Sequence, residues 1–116
     1  MLVFRQIPLG LLSLVVLAAT AGSGRAADPV TLTLKDHHFV PTEVAAPAGE
    51  RFRIEVTNQD PTPAEFESSD LKVEKIVVPG GTIGVMAGPL KPGKYTFFDD
   101  YHPEATGALT VAEKKD

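Results

Sequence analysis

Beyond residue 26 this chain shows no long amphipathic helix pattern; its apolar residues recur in short runs with a period of two. Arg51–Thr57 is the clearest run: Phe52, Ile54 and Val56 fall on one side, and Arg51, Arg53, Glu55 and Thr57 on the other. Such a strand has one face in a core and one in water. Val30–Leu34 alternates in the same way. Further extended runs are read at Phe39–Ala46 (interrupted by Pro41), Ala64–Glu67, Val73–Val78, Thr82–Met86, Lys94–Phe98 and Gly107–Val111. Pro47-Ala48-Gly49-Glu50, Pro79-Gly80-Gly81 and Gly88-Pro89-Leu90-Lys91-Pro92-Gly93 supply turns, and Asn58–Pro63 and Asp99–Thr106 read as polar loops. Short strands with regular punctuation predict an all-β sandwich or barrel of about seven to eight strands. Tyr95, Phe97 and Phe98 are expected in the core or a pocket wall, and Met86 as core filler.

The first 26 residues follow a different logic. Arg5 precedes the almost wholly apolar or small stretch Ile7–Ala21, and small residues lead to Ala26. That is the pattern of a secretory signal peptide cut after Ala26, with a domain over 27–116. The apolar stretch is short beside the ~20 residues that a membrane span needs. Of the 11 basic residues, Arg5 and Arg25 leave with it and no acid does, so nine face 15 acidic residues, a net charge of −6. Nucleic acid, which rewards clustered Lys and Arg, is excluded as a partner. No cysteine is present, so there is no disulfide and no thiolate for a metal or a nucleophile. Neither a Gly-x-Ser-x-Gly turn nor a glycine-rich phosphate loop occurs, which removes the familiar hydrolase and nucleotide-binding readings.

The series Phe39-Val40-Pro41, Pro47-Ala48-Gly49, Asn58, Val78-Pro79-Gly80, Leu90-Lys91-Pro92-Gly93-Lys94-Tyr95-Thr96-Phe97, His102-Pro103 and Gly107-Ala108-Leu109-Thr110-Val111 resembles the cupredoxin superfamily over nearly the whole of residues 27–116. Within it, the chain is similar to the small periplasmic cupredoxin-like proteins of bacterial iron-uptake systems, such as the cupredoxin-like subunit of ferrous-iron transporters. The resemblance implies a cupredoxin-like Greek-key β-sandwich and a periplasmic location. It also implies a metal pocket, an iron permease with other transporter subunits as partners, and ferroxidase-type oxidation of Fe(II).

On the same resemblance, the cysteine of a blue-copper loop falls on Asp99, and His102 keeps its place three residues on. The axial methionine falls near Thr106–Gly107, and the second histidine falls on Ala64, six residues after Asn58. A blue site needs two His and a Cys with a weak axial ligand, so that electron-transfer role is excluded. Asp99 and His102 are then the core metal candidates, joined by Glu65 and Glu67 on the strand that lacks the histidine. Asp100 and Glu104 stand at the approach to the ion. In Asp36-His37-His38, His38 is favoured as the metal-side residue, because alternation groups it with Leu32 and Leu34. Carboxylate and imidazole suit iron, manganese, zinc and Cu(II), and Cu(II) would bind at least as tightly as Fe(II). The cofactor expected is therefore iron (Fe2+/Fe3+) or copper, and the alternative to iron oxidation is a divalent-metal carrier without turnover.

Overall fold

The computed structural model describes residues 27–113; the expected signal peptide, residues 1–26, lies outside them. The described residues form nine strands and no helix: β1 Val30–Lys35, β2 His38–Val40, β3 Glu43–Ala46, β4 Phe52–Asn58, β5 Ala64–Ser68, β6 Val73–Val77, β7 Thr82–Ala87, β8 Gly93–Asp99 and β9 His102–Val111. They make two sheets, β2-β1-β4-β7 and β3-β9-β8-β5-β6. The chain is an all-β sandwich, as its period of two requires.

Two departures from the expected strands have local causes. Phe39–Ala46 is not one strand. After Val40 the chain leaves the first sheet at Pro41-Thr42 and enters the second as β3, which pairs parallel to β9. Proline has no N–H to give a ladder, so it marks the crossing. The last strand begins at His102 and not at Gly107. Phe98 faces Thr106 while the next residue, Asp99, faces His102, so residues 103–105 are left over as a bulge. The extra residues break the alternation, and the start of the strand therefore reads as a loop.

The core lies between the sheets. Leu32, Leu34, Ile54 and Val56 of the first sheet meet Phe66, Phe97, Leu109 and Val111 of the second, all buried. Phe39, Phe66 and Phe97 form its centre, with ring centroids 5.0 to 6.1 Å apart in edge and tilted arrangements that suit the aromatic quadrupole. Each fully buried apolar side chain contributes about 1.5–3 kcal/mol. Met86 does not join them: it is exposed on β7.

One polar residue organises the end of the sandwich that carries the candidate site. Asn58, fully buried at the end of β4, donates through Nδ2 to the carbonyls of Thr62 (2.8 Å) and Val77 (3.0 Å), and its Oδ1 accepts from the Asp60 N–H (2.9 Å). Its backbone bonds Gly81 O and Gly80 N. A single amide thus ties β4, the 59–63 loop, β6 and the β6–β7 turn. Asn58→Ala should cost about 3 kcal/mol, since it leaves several buried backbone groups without partners. Gln59→Ala, an exposed neighbour, should stay within about 0.5 kcal/mol; urea unfolding of both variants checks the contrast.

Candidate metal centre

At this end of the sandwich the β1–β2 hairpin turns through Asp36 and His37 alone. Both have positive φ, 52° and 59°. A two-residue hairpin with both residues left-handed matches strand twist, and Asp and His accept that conformation better than most residues. The turn is held from outside: the Asp60 carboxylate accepts the Asp36 N–H on Oδ1 and the His37 N–H on Oδ2 (2.9 Å). Burial alone raises the Asp60 pKa. The backbone N–H groups of His37 and Asp36, then the imidazoles of His37 and His102, outweigh it and hold the carboxyl below the usual aspartate range. The His37 Nδ1 is shielded from solvent without a hydrogen bond, 3.5 Å from Asp60 Oδ2.

Across the pole stands the β8–β9 turn. Asp99, fully buried at the end of β8, accepts on Oδ1 from the N–H groups of Glu65 (2.9 Å) and Tyr101 (3.0 Å). The second of these is an Asx turn, in which the side chain bonds its own backbone two residues on. Asp99 Oδ2 lies 3.0 Å from His102 Nδ1. A carboxylate only accepts, so this contact is a hydrogen bond when His102 carries a proton on Nδ1. The imidazoles of His37 and His102 stack, with centroids 4.0 Å apart and planes at 27°.

On the outer face of the second sheet a different group assembles. Glu65 and Glu67 alternate outward on β5 while Ala64, Phe66 and Ser68 point to the core. With Asp100 of the β8–β9 turn, each brings an oxygen within 4.8 Å of the others. The Asp100 N–H donates to the Glu65 carbonyl (2.9 Å), which keeps the turn against β5. Glu74 pairs with Glu67 across β5 and β6. Partial burial, then the charges of Glu74 and Asp100, push the Glu65 carboxyl up; partial burial, Asp100 and Glu74 do the same to Glu67. Lining up acids against one another in this way costs stability until a cation or protons relieve the repulsion.

The expected metal residues therefore divide into two places. Asp99 and His102 lie together, but Asp99 sits behind His102 as its hydrogen-bond partner and does not face an ion beside it. Glu65, Glu67 and Asp100 form the carboxylate group. Glu104 is exposed in the β9 bulge. His38 is misplaced by the alternation argument: Leu34 pairs with buried Phe39, so His38 points outward, exposed, and His37 takes the polar end instead. Counting alternation through a two-residue left-handed turn shifts the register by one. Two residues escaped the sequence reading, His37 and Asp60. The Asp-His step between two extended runs is a hairpin signal that could have found the first.

A model of the cupredoxin-like domain matches residues 8–111. The chain belongs to the cupredoxin-like family. An uncharacterized protein of Rickettsia prowazekii (strain Madrid E) is 48% identical over 82 residues, 71% of this chain and 66%, just under two thirds, of that protein's length. A purple cupredoxin from Nitrosopumilus maritimus overlays with a TM-score of 0.57 at 17% identity, covering 72% of this chain and 99% of that one. Reduced auracyanin from Roseiflexus castenholzii gives 0.61 at 16%, covering 76% and 99%. The Cu(I) form of an amicyanin variant gives 0.61 at 14%, covering 74% and 85%. At these identities the overlays attest the fold. The blue-copper centre does not fit this cupredoxin-like chain. There is no cysteine, Asp99 has both oxygens engaged by N–H groups, and Ala64 is buried where a histidine would be needed.

The two kinds of acid predict opposite responses to pH. Asp60 has a lowered folded pKa, so its contribution is complete above about pH 4, the unfolded value, and disappears as pH falls through the folded one. Asp60→Asn should cost about 1–3 kcal/mol at neutral pH, because an amide nitrogen then confronts a backbone N–H, and should flatten the acid limb of the stability curve. Glu65 and Glu67 have raised pKa values, so their repulsion is fully present above the folded value and lessens as pH falls through it. Glu67→Gln should therefore raise the metal-free Tm at neutral pH and low salt. Thermal melts across pH check both signs.

Proposed function

We propose that this cupredoxin-like protein is an exported, periplasmic metal-binding protein of iron uptake. In this reading it binds Fe(II) at Glu65, Glu67 and Asp100, assists its oxidation to Fe(III), and passes the ion to a membrane iron permease. The observation that carries the proposal is the convergence of those carboxylate oxygens within 4.8 Å, with two of the carboxyls pushed up by burial and like charge. A cation entering the group removes that repulsion, and an ion of higher charge removes more of it. The site so built favours Fe(III) over Fe(II), which lowers the potential of the bound ion and makes it easier to oxidise. Each Fe(II) gives one electron to dioxygen, which takes up electrons and protons and leaves as water. The resemblance to iron-transport cupredoxins supports the permease as recipient, and the apolar N-terminal stretch supports export. Copper or another divalent ion carried without turnover is the second reading, favoured by the stacked imidazoles of His37 and His102 at the pole, the second of them bonded to Asp99.

Anaerobic loading with Fe(II) followed by admission of air tests the proposal. Wild type should form Fe(III) faster than buffer alone, and Glu65→Gln/Glu67→Gln should slow it at least tenfold. Binding without faster oxidation would move the protein to the carrier reading, and an unchanged rate in the double variant would overturn the assignment.

A further inference from the structure

The second sheet carries a groove of about 460 Å³ that has no residue in common with the carboxylate group. It lies over β9, between β3 and β8. Leu109 enters the core, so its neighbour Ala108 faces outward. Ala108 is nevertheless only 5% exposed, because it is flanked by its strand partners Thr96 and Glu43. A methyl group between longer side chains leaves a hollow, and Ala108 is its floor. Phe98 is the apolar wall: it is half-buried and pairs with outward-facing Glu67, which puts its ring on the same face. Thr96 and Thr106 add hydroxyls. At the rim, Lys94 Nζ and Glu43 Oε2 stand 3.4 Å apart, an ion pair that reaches across β9. Both side chains are mostly exposed, and a pair so exposed contributes little to stability, so each charge is free to take another partner. A lone anion at this rim meets Glu43, and a lone cation meets Lys94. The hollow is therefore complementary to a molecule that carries both charges at one end of an apolar body.

We propose that this groove binds a free amino acid with an aromatic or large aliphatic side chain. The ligand carboxylate meets Lys94, its ammonium meets Glu43, and its side chain lies over Ala108 against Phe98. The volume falls within the range of roughly 300–1,000 Å³ usual for small-molecule sites. An aromatic side chain gains most, because it adds an edge or offset contact with the Phe98 ring. The groove is open to solvent, so the expected Kd is on the order of 1 mM. The site uses none of Glu65, Glu67 and Asp100, so it stands or falls apart from the iron reading.

Titration of the nitrogen-15-labelled protein with L-phenylalanine, followed by amide NMR shifts, tests it. The signals of Lys94, Thr96, Thr106 and Ala108 should move and saturate, while those of Thr33 and Thr57 on the other sheet stay. Phenylacetate lacks the ammonium and phenethylamine the carboxylate. Each should bind about two- to fivefold more weakly, the size of one exposed charge contact. Glycine, which has no side chain to fill the hollow, should give no saturable shift. Lys94→Gln should reduce the affinity for L-phenylalanine to that of phenethylamine for wild type. Ala108→Leu fills the groove and should abolish binding, with thermal melting to show that the variant is folded; Lys94→Gln decides the matter if it is not. Three results would each overturn the site: no saturable shift at these residues in wild type, phenylacetate or phenethylamine binding as tightly as L-phenylalanine, or unchanged binding in Lys94→Gln or in folded Ala108→Leu.

Discussion

The carboxylate of Asp99 is the constraint on which the polar end of this sandwich depends. Burying an isolated carboxylate costs several kcal/mol, and the burial is tolerated only when hydrogen-bond donors surround it. Asp99 is fully buried and has three: the N–H of Glu65 on β5, the N–H of Tyr101 in its own turn, and Nδ1 of His102 on β9. Each bond fixes a different element. The first sets β8 against β5, the second closes the β8–β9 turn, and the third fixes the ring of His102 and chooses its tautomer. Where a blue-copper protein would hold a metal with a thiolate, this chain uses the same position to hold an imidazole.

A β-strand then lets one segment serve two purposes. On β5, Ala64, Phe66 and Ser68 enter the core while Glu65 and Glu67 face water. The same backbone that presents Glu65 to solvent binds Asp99 through its N–H and Asp100 through its carbonyl. The carboxylate group and the imidazole pair are thus separate in side chains and joined through one peptide unit. On the far side, Asn58 does for the Asp36–His37 turn what Asp99 does for the Asp100–Tyr101 turn. Its amide oxygen accepts the Asp60 N–H and so fixes the backbone from which the Asp60 carboxylate accepts the N–H groups of the two left-handed residues.

Much of the fold was legible because it follows from period two. Phe52, Ile54 and Val56 declared the inward face of β4 without reference to anything outside that strand, and the structure buries all three. What was not legible depends on breaks in the period. The bulge at residues 103–105 hid the start of β9, and the left-handed Asp36–His37 step reversed the assignment of His37 and His38. The site was legible in part for the same reason. Glu65 and Glu67 share a face by alternation, and Asp99 and His102 sit three apart in one turn. Asp60 joins them only through a contact 23 residues away in sequence, which no local pattern announces.

The account rests on Asp99 holding His102 with its proton on Nδ1 and its Nε2 open. Nitrogen-15 NMR of the imidazole side chains in the metal-free protein at neutral pH reads this directly. The account predicts that the His102 signals belong to the Nδ1–H tautomer, with a slowly exchanging Nδ1 proton, and that Asp99→Asn abolishes that preference. Finding His102 as the Nε2–H tautomer in the wild-type protein would contradict it, for the ring would then have neither its bond to Asp99 nor a free nitrogen facing outward.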